Sequence, residues 1–223
     1  MIAKEELNIL WSLEQTAEKY EDRVAVSDVN QELTWKGLVK KAQVIGAELS
    51  KKVQPGNPIP VLLEKSSETL AVMLGIVYAG CFYVPVNPMN PAERLRKIME
   101  KLEPEVIISD EKGKEQLAAV GVGLEEKVIG PEILLPTTGT DLSEEQRSRL
   151  EQIQGQWKET DALYGIFTSG STGTPKAIVV SHGAVSRFVR HFTEIFEITS
   201  EDVIGNQAPF DFDVSVKAVS YTH

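Results

Sequence analysis

Phe82-Tyr83-Val84-Pro85-Val86 is an apolar run closed by Asn87-Pro88-Met89-Asn90; Pro91-Ala92-Glu93 then opens a helical pattern reaching Leu102, and Val106-Ile107-Ile108 follows as a second apolar run. Runs apolar on both faces and joined by a helix long enough for a crossover are the mark of a parallel sheet covered by helices. Asn90 is read as the cap of the intervening helix, with Pro91 at its first position, where no backbone donor is needed, and Glu93 closing a capping box.

The same alternation continues outward. Upstream, Leu7, Leu10, Trp11 and Leu13 predict an opening amphipathic helix, and Val24-Ala25-Val26 and Leu33-Thr34-Trp35 two short strands about a polar turn. A helix from Leu38 to Leu49, the strand Ile59-Pro60-Val61-Leu62-Leu63 and a helix from Ser66 to Ala79 come next. Downstream, a helix over Lys114 to Val120 precedes the short strand Val128-Ile129. The fold class is therefore α/β, a mostly parallel sheet flanked by helices. Residues 1–130 are expected as a first α/β subdomain. Residues 131–160, rich in Thr, Gly, Gln and Glu apart from a short helix after Asp141, read as a connector. Residues 161–223 read as the start of a second subdomain.

Composition removes several function classes. With 42% apolar residues the 223-residue chain can furnish a core, and 33 acidic against 23 basic residues give a net charge of -10, a field that repels nucleic acid. A single cysteine, Cys81, excludes an intrachain disulfide and reads as a small core residue. Neither a signal-peptide block nor a membrane-spanning run is present, so a cytoplasmic protein without a membrane partner is expected.

After residue 162 the sequence carries chemistry. The strand Leu163-Tyr164-Gly165-Ile166-Phe167 enters Thr168-Ser169-Gly170-Ser171-Thr172-Gly173-Thr174-Pro175-Lys176. Glycines let a backbone approach a ligand with its amides inward, hydroxyls donate to phosphate oxygens, and a lysine adds a compact positive charge. A polyphosphate suits that set, although the same residues also make ligand-free turns. The spacing is not that of a Walker loop, because Gly170 is followed by Ser171 and Thr172 and Lys176 leads into a strand.

Tyr164 to Lys176 with Ser181-His182 resembles the signature loop of the adenylate-forming superfamily, which includes acyl-CoA synthetases, luciferases, nonribosomal peptide synthetase adenylation domains and D-alanine carrier-protein ligases. Leu33 to Leu38, Tyr78 to Pro88 and Phe212-Asp213-Val214-Ser215 match in the same order, so the resemblance covers nearly the whole chain. It implies that Thr168, Ser169, Gly170, Ser171, Thr172, Gly173, Thr174 and Lys176 grip the phosphates of ATP while a carboxylate attacks the α-phosphorus, giving an adenylate and pyrophosphate. Ala177 departs from the glycine common after that lysine. Magnesium would accompany ATP, and the acceptor would be a carrier-protein thiol.

Asp211 and Asp213 stand among apolar residues where a strand gives way to a helix. A carboxylate there can receive an ammonium ion or cap the helix. The resemblance aligns Asp213 with the aspartate that holds the α-amino group in amino-acid-activating members, and the run from Gln207 to Asp213 is similar to D-alanine carrier-protein ligases and free-standing adenylation modules. His182 reads as a helix-start residue. His191, His223, Arg187 and Arg190 receive no role, and no spacing of His, Cys or carboxylates reads as a metal site.

The resemblance further implies motifs not found after Ser215: an aromatic-Gly-x-Thr-Glu segment, a ribose-binding aspartate, a hinge and a catalytic lysine. The expectation is thus an N-terminal portion of an amino-acid-adenylating ligase, inactive by itself. Two other readings stand beside it, a self-standing nucleotide-binding or regulatory module and an acyl-CoA synthetase fragment acting on a plain carboxylic acid.

Overall fold

In the computed structural model, residues 7–121, 123–134, 141–168, 175–212 and 215 are described. The elements run α1 (Ile9–Lys19), β1 (Val24–Ser27), β2 (Glu32–Thr34), α2 (Trp35–Ser50), β3 (Pro58–Leu62), α3 (Ser67–Tyr78), β4 (Phe82–Pro85), α4 (Ala92–Leu102) and β5 (Ile107–Ser109). They continue with α5 (Glu111–Val120), a 3-10 turn at Leu124–Lys127, β6 (Val128–Ile129), α6 (Pro131–Leu134), α7 (Glu144–Gly155), β7 (Ala162–Thr168), β8 (Lys176–Ser181) and α8 (His182–Ile195).

Residues adjacent in a strand point to opposite faces, and here each face has its own core. Val61, Tyr83 and Ile108 join a cluster with Leu38, Ile45, Met73 and Ile76 of α2 and α3, while Leu62, Val84 and Ile107 pack with Leu95, Ile98, Met99 and Leu117 of α4 and α5. Burial on both sides explains the unbroken apolar runs. The six strands lie in the order β6-β5-β3-β4-β7-β8, all pairs parallel except β7 with β8. A separate antiparallel pair, β1 with β2, stands outside that sheet. The region expected as a connector holds α6 and α7, and β7 then adds to the sheet beside β4. No helix among the described residues is long and apolar enough to cross a membrane.

Two local expectations differ from the structure. Helix α4 begins at Ala92 with Pro91 as its cap residue and without a side-chain cap. The preceding turn takes its polar groups elsewhere: Met89 N donates to Asn87 Oδ1 at 2.9 Å, Asn90 N donates to Asn87 O, and Glu93 pairs forward with Lys97 at 3.0 Å rather than reaching back. An i,i+4 pair of this sign is favoured on a helix surface. Trp35, read as the end of a strand, is instead the first residue of α2, because the Thr34 hydroxyl accepts from Gly37 N at 3.1 Å and caps the helix there.

Candidate functional site

Because β7 runs parallel to β3 and β4, its last residue, Thr168, lies at the same edge of the sheet as the carboxyl ends of those strands. Strand β7 is anchored by backbone pairing and by Tyr164, whose ring stacks on Tyr83 of β4 with centroids 5.9 Å apart, both residues buried. The chain then returns as β8, with Thr168 and Lys176 as direct cross-strand partners. Of the residues expected to hold phosphates, these two are thus brought together at the mouth of the loop, both exposed, while Ser169, Gly170, Ser171, Thr172, Gly173 and Thr174 lie outside the described residues. Among the described residues no acid pairs with Lys176, so its charge is available to an anion.

Arg94 of α4 joins this corner. Its guanidinium donates to Phe167 O at 3.3 Å, one residue before Thr168, and adds a half-buried cation that the sequence reading did not single out. Nothing in the local pattern marks it, since Arg94 sits among other charged residues of an amphipathic helix and its partner is 73 residues away.

The segment leading to Asp213 is tied to the same edge of the sheet. Lys65, just past β3, donates from Nζ to Asn206 O at 2.6 Å and to Ala208 O at 3.3 Å. Beyond, Ser215 is buried and its hydroxyl donates to Phe212 O at 2.6 Å, closing a turn from Phe210. Asp213 itself lies outside the described residues. Asp211 is half-buried and lines a cavity of about 210 Å³ with Pro209 and Phe210. Lys65 was also missed; the available signal was a lysine two residues past the buried strand Ile59 to Leu63, where chains of parallel sheets meet ligands.

His182 lies elsewhere. Strand β8 is antiparallel, so its far end, Ser181, pairs with Ala162 at the amino edge of the sheet. Six residue steps from Lys176 at ~3.3 Å put His182 on the order of 20 Å from the loop mouth. The Ser181 hydroxyl accepts from Ala184 N at 3.3 Å and caps α8, and His182 N donates to Asp161 O at 3.1 Å. Burial pushes the His182 imidazole down to about 4, a neutral structural group. Arg187 is paired with Glu159 at 2.9 Å. Cys81 is buried, and burial raises its thiol to about 11, away from reactivity.

Comparison with known proteins places this chain in a family. The profile described as AMP-binding enzyme matches residues 13–222. The chain is 31% identical over 204 residues to tyrocidine synthase 1 of Brevibacillus parabrevis, covering 91% of this chain and 18% of that protein. It is 29% identical over 215 residues to D-alanine--D-alanyl carrier protein ligase of Staphylococcus aureus (strain MRSA252), covering 95% of this chain and 40% of that one. Among solved structures, the nonribosomal peptide synthetase FmoA3 (S1046A) superposes with a TM-score of 0.79 at 25% identity, over 95% of this chain and 21% of that chain. The complex of VinN with L-aspartate superposes with a TM-score of 0.80 at 22% identity, over 96% and 59%, a likeness of fold. The chain therefore spans less than two thirds of the length of each of these proteins.

Proposed function

Since the chain belongs to the AMP-binding enzyme family, we propose that it supplies the phosphate cradle of a ligase that activates an amino acid as its adenylate. In this reading a carboxylate oxygen attacks the α-phosphorus of ATP. The new O–P bond forms as the bond to the bridging oxygen of the β-phosphate breaks, and pyrophosphate leaves. The acyl group then passes to the thiol of a carrier protein and AMP departs. The relative named D-alanine--D-alanyl carrier protein ligase and the nonribosomal peptide synthetase FmoA3 favour an amino acid over a plain carboxylic acid.

The observation that carries the reading is the cross-strand pairing of Thr168 with Lys176, which closes a loop of hydroxyls and glycines at the carboxyl edge of the sheet. Thr168, Ser169, Ser171, Thr172 and Thr174 would donate to phosphate oxygens, Gly170 and Gly173 would let the backbone amides approach, and Lys176 would balance charge. Magnesium would arrive on the ATP phosphates and neutralise them there. Asp213 would receive the substrate ammonium.

Titration of the 223-residue chain with tripolyphosphate, ATP and adenosine tests the cradle. ATP and tripolyphosphate are expected to compete, adenosine to bind far more weakly, and Lys176→Ala to weaken both phosphates about tenfold, the equivalent of ~1.4 kcal/mol. Adenosine binding as tightly as ATP, or indifference to Lys176→Ala, would remove the phosphate role.

A further inference from the structure

Strands β3, β4 and β7 lie side by side, and their amino ends open onto a cavity of about 670 Å³ at the edge of the sheet opposite the phosphate loop. Gln54 and Gly56 reach it from just before β3, Cys81 and Phe82 from the start of β4, and Ala162 from β7. Helix α7 and the turn after it contribute Gln152, Ile153, Gln154 and Trp157, and His182 enters from the first position of α8. The volume falls within the ~300–1,000 Å³ of small-molecule sites, although the place is not the carboxyl edge where open α/β sheets usually take ligands.

Two ring nitrogens in this wall have no partner. His182 is 3% exposed and Trp157 half-buried, and among the described residues neither His182 Nδ1 nor Trp157 Nε1 makes a hydrogen bond. The two rings meet edge to face with centroids 5.6 Å apart, so both vacancies lie in one corner of the cavity. A buried polar group left unsatisfied is costly, and a ligand that completes it recovers that cost. Nothing here calls for a charged ligand. Burial holds the imidazole neutral, Arg149 donates to Ser50 Oγ at 2.8 Å and to Ser50 O, and Asp161 accepts from Lys158 N at 2.8 Å. The first amides of α8, which would otherwise draw an anion, are taken as well: those of His182, Gly183 and Ala184 donate to Asp161 O, Glu159 O and the Ser181 hydroxyl.

We propose that this amino-edge cavity binds a neutral compound carrying a carboxamide on a flat apolar ring, the amide completing both Trp157 and His182. With a turn of the half-buried indole, the amide carbonyl accepts from Trp157 Nε1, the amide N–H donates to His182 Nδ1, and the ring lies against Val77, Phe82 and Ile153. The indole can only donate, so the ligand must accept there, while a neutral imidazole leaves one ring nitrogen as an acceptor. An amide offers the two functions side by side; a carboxylate brings a second acceptor and a charge, and an ammonium brings donors alone. The site owes nothing to the phosphate loop or to Asp213.

The test is a titration of the 223-residue chain with benzamide, toluene, benzoate and benzylamine, followed in proton–nitrogen NMR spectra through the indole N–H signals of Trp11, Trp35 and Trp157. The Trp157 signal is the one lost in Trp157→Phe, a change that keeps an aromatic ring and removes only the donor side of the indole. Benzamide should move that signal downfield and saturate, while toluene, benzoate and benzylamine should each bind at least tenfold more weakly. Trp157→Phe should weaken benzamide about tenfold by calorimetry. Tripolyphosphate in excess should leave benzamide binding within about twofold, so the phosphate loop can fail without this site and this site without the loop. An unmoved Trp157 signal, toluene or benzoate equal to benzamide, full benzamide affinity in Trp157→Phe, or displacement by tripolyphosphate would overturn the proposal. The ranking of the four probes on the native chain stands even where the variant does not fold.

Discussion

His182 is 3% exposed, stands edge-on to Trp157 with centroids 5.6 Å apart, and its Nδ1 finds no partner among the described residues. Desolvation alone accounts for the fall of its imidazole from 6.5 to about 4. The sign of the consequence follows from proton counting. Between those two values the unfolded chain binds a proton that the fold refuses, so stability is complete above pH 6.5 and falls as the pH drops towards 4. The full loss is on the order of 3 kcal/mol at ~1.4 kcal/mol for each unit. Asp28 adds a further loss in stronger acid. The N–H of Ser67, then that of Asn30 and the Ser67 hydroxyl, hold its carboxylate far below the usual range, and its contribution disappears only below its ordinary value of 3.8. Urea melts near pH 7 and near pH 4.5 should therefore differ in the native chain and differ much less in His182→Gln. An equal pH dependence in the two would place the titrating group elsewhere.

At the scale of elements, α2 and α3 approach closely because each presents a glycine to the other. A Cβ on Gly46 would meet Tyr78 Cβ at 2.5 Å, and one on Gly75 would meet Ile45 Cβ at 2.6 Å. Alanine at a helical glycine ordinarily gains ~1 kcal/mol, but overpacking a filled core costs ~1–3 kcal/mol. Backbone and β-branched atoms cannot swing aside, so Gly75→Ala should lose about 1 kcal/mol or more. Gly155→Ala, at the end of α7 with nothing within 4 Å, should gain up to ~1 kcal/mol. Opposite signs in denaturant melts would confirm that packing decides the first case. These elements were legible in the sequence wherever burial was even: the runs of β3, β4 and β5 are apolar because both faces are covered, and α3 is apolar nearly throughout because it is buried nearly all round. What local pattern could not show was competition for polar groups, as where Asn87 serves the turn before α4 and Glu93 turns to Lys97. In the candidate site, the hydroxyl- and glycine-rich loop announced itself by composition. Lys65 and Arg94 did not, since their partners lie 141 and 73 residues away and only the fold brings them together.

For the whole molecule, the two sheet edges differ. Strand β6 has two residues, while β8 has six and, among the described residues, pairs only with β7, leaving an outward row of backbone groups. Ile178 and Val179 on that strand are 47% and 54% exposed, and Ile195 and Phe196 at the end of α8 are 64% and 62% exposed. A long edge with apolar side chains is a template for pairing with another chain, and an inserted lysine is the usual remedy. Against it stands the net charge of -10, which keeps copies apart at low ionic strength. Salt shortens that repulsion, to a Debye length of ~3 Å at ~1 M, and leaves apolar contact intact. Sedimentation velocity should then show association that grows with protein concentration and is stronger in high salt than in low. Val179→Lys should suppress it while leaving the melting transition nearly unchanged, because the side chain is already exposed. Association that weakens with added salt would mean that charge pairing, not the apolar edge, brings the copies together, and a monomer at all salt and protein concentrations would mean that the edge is protected.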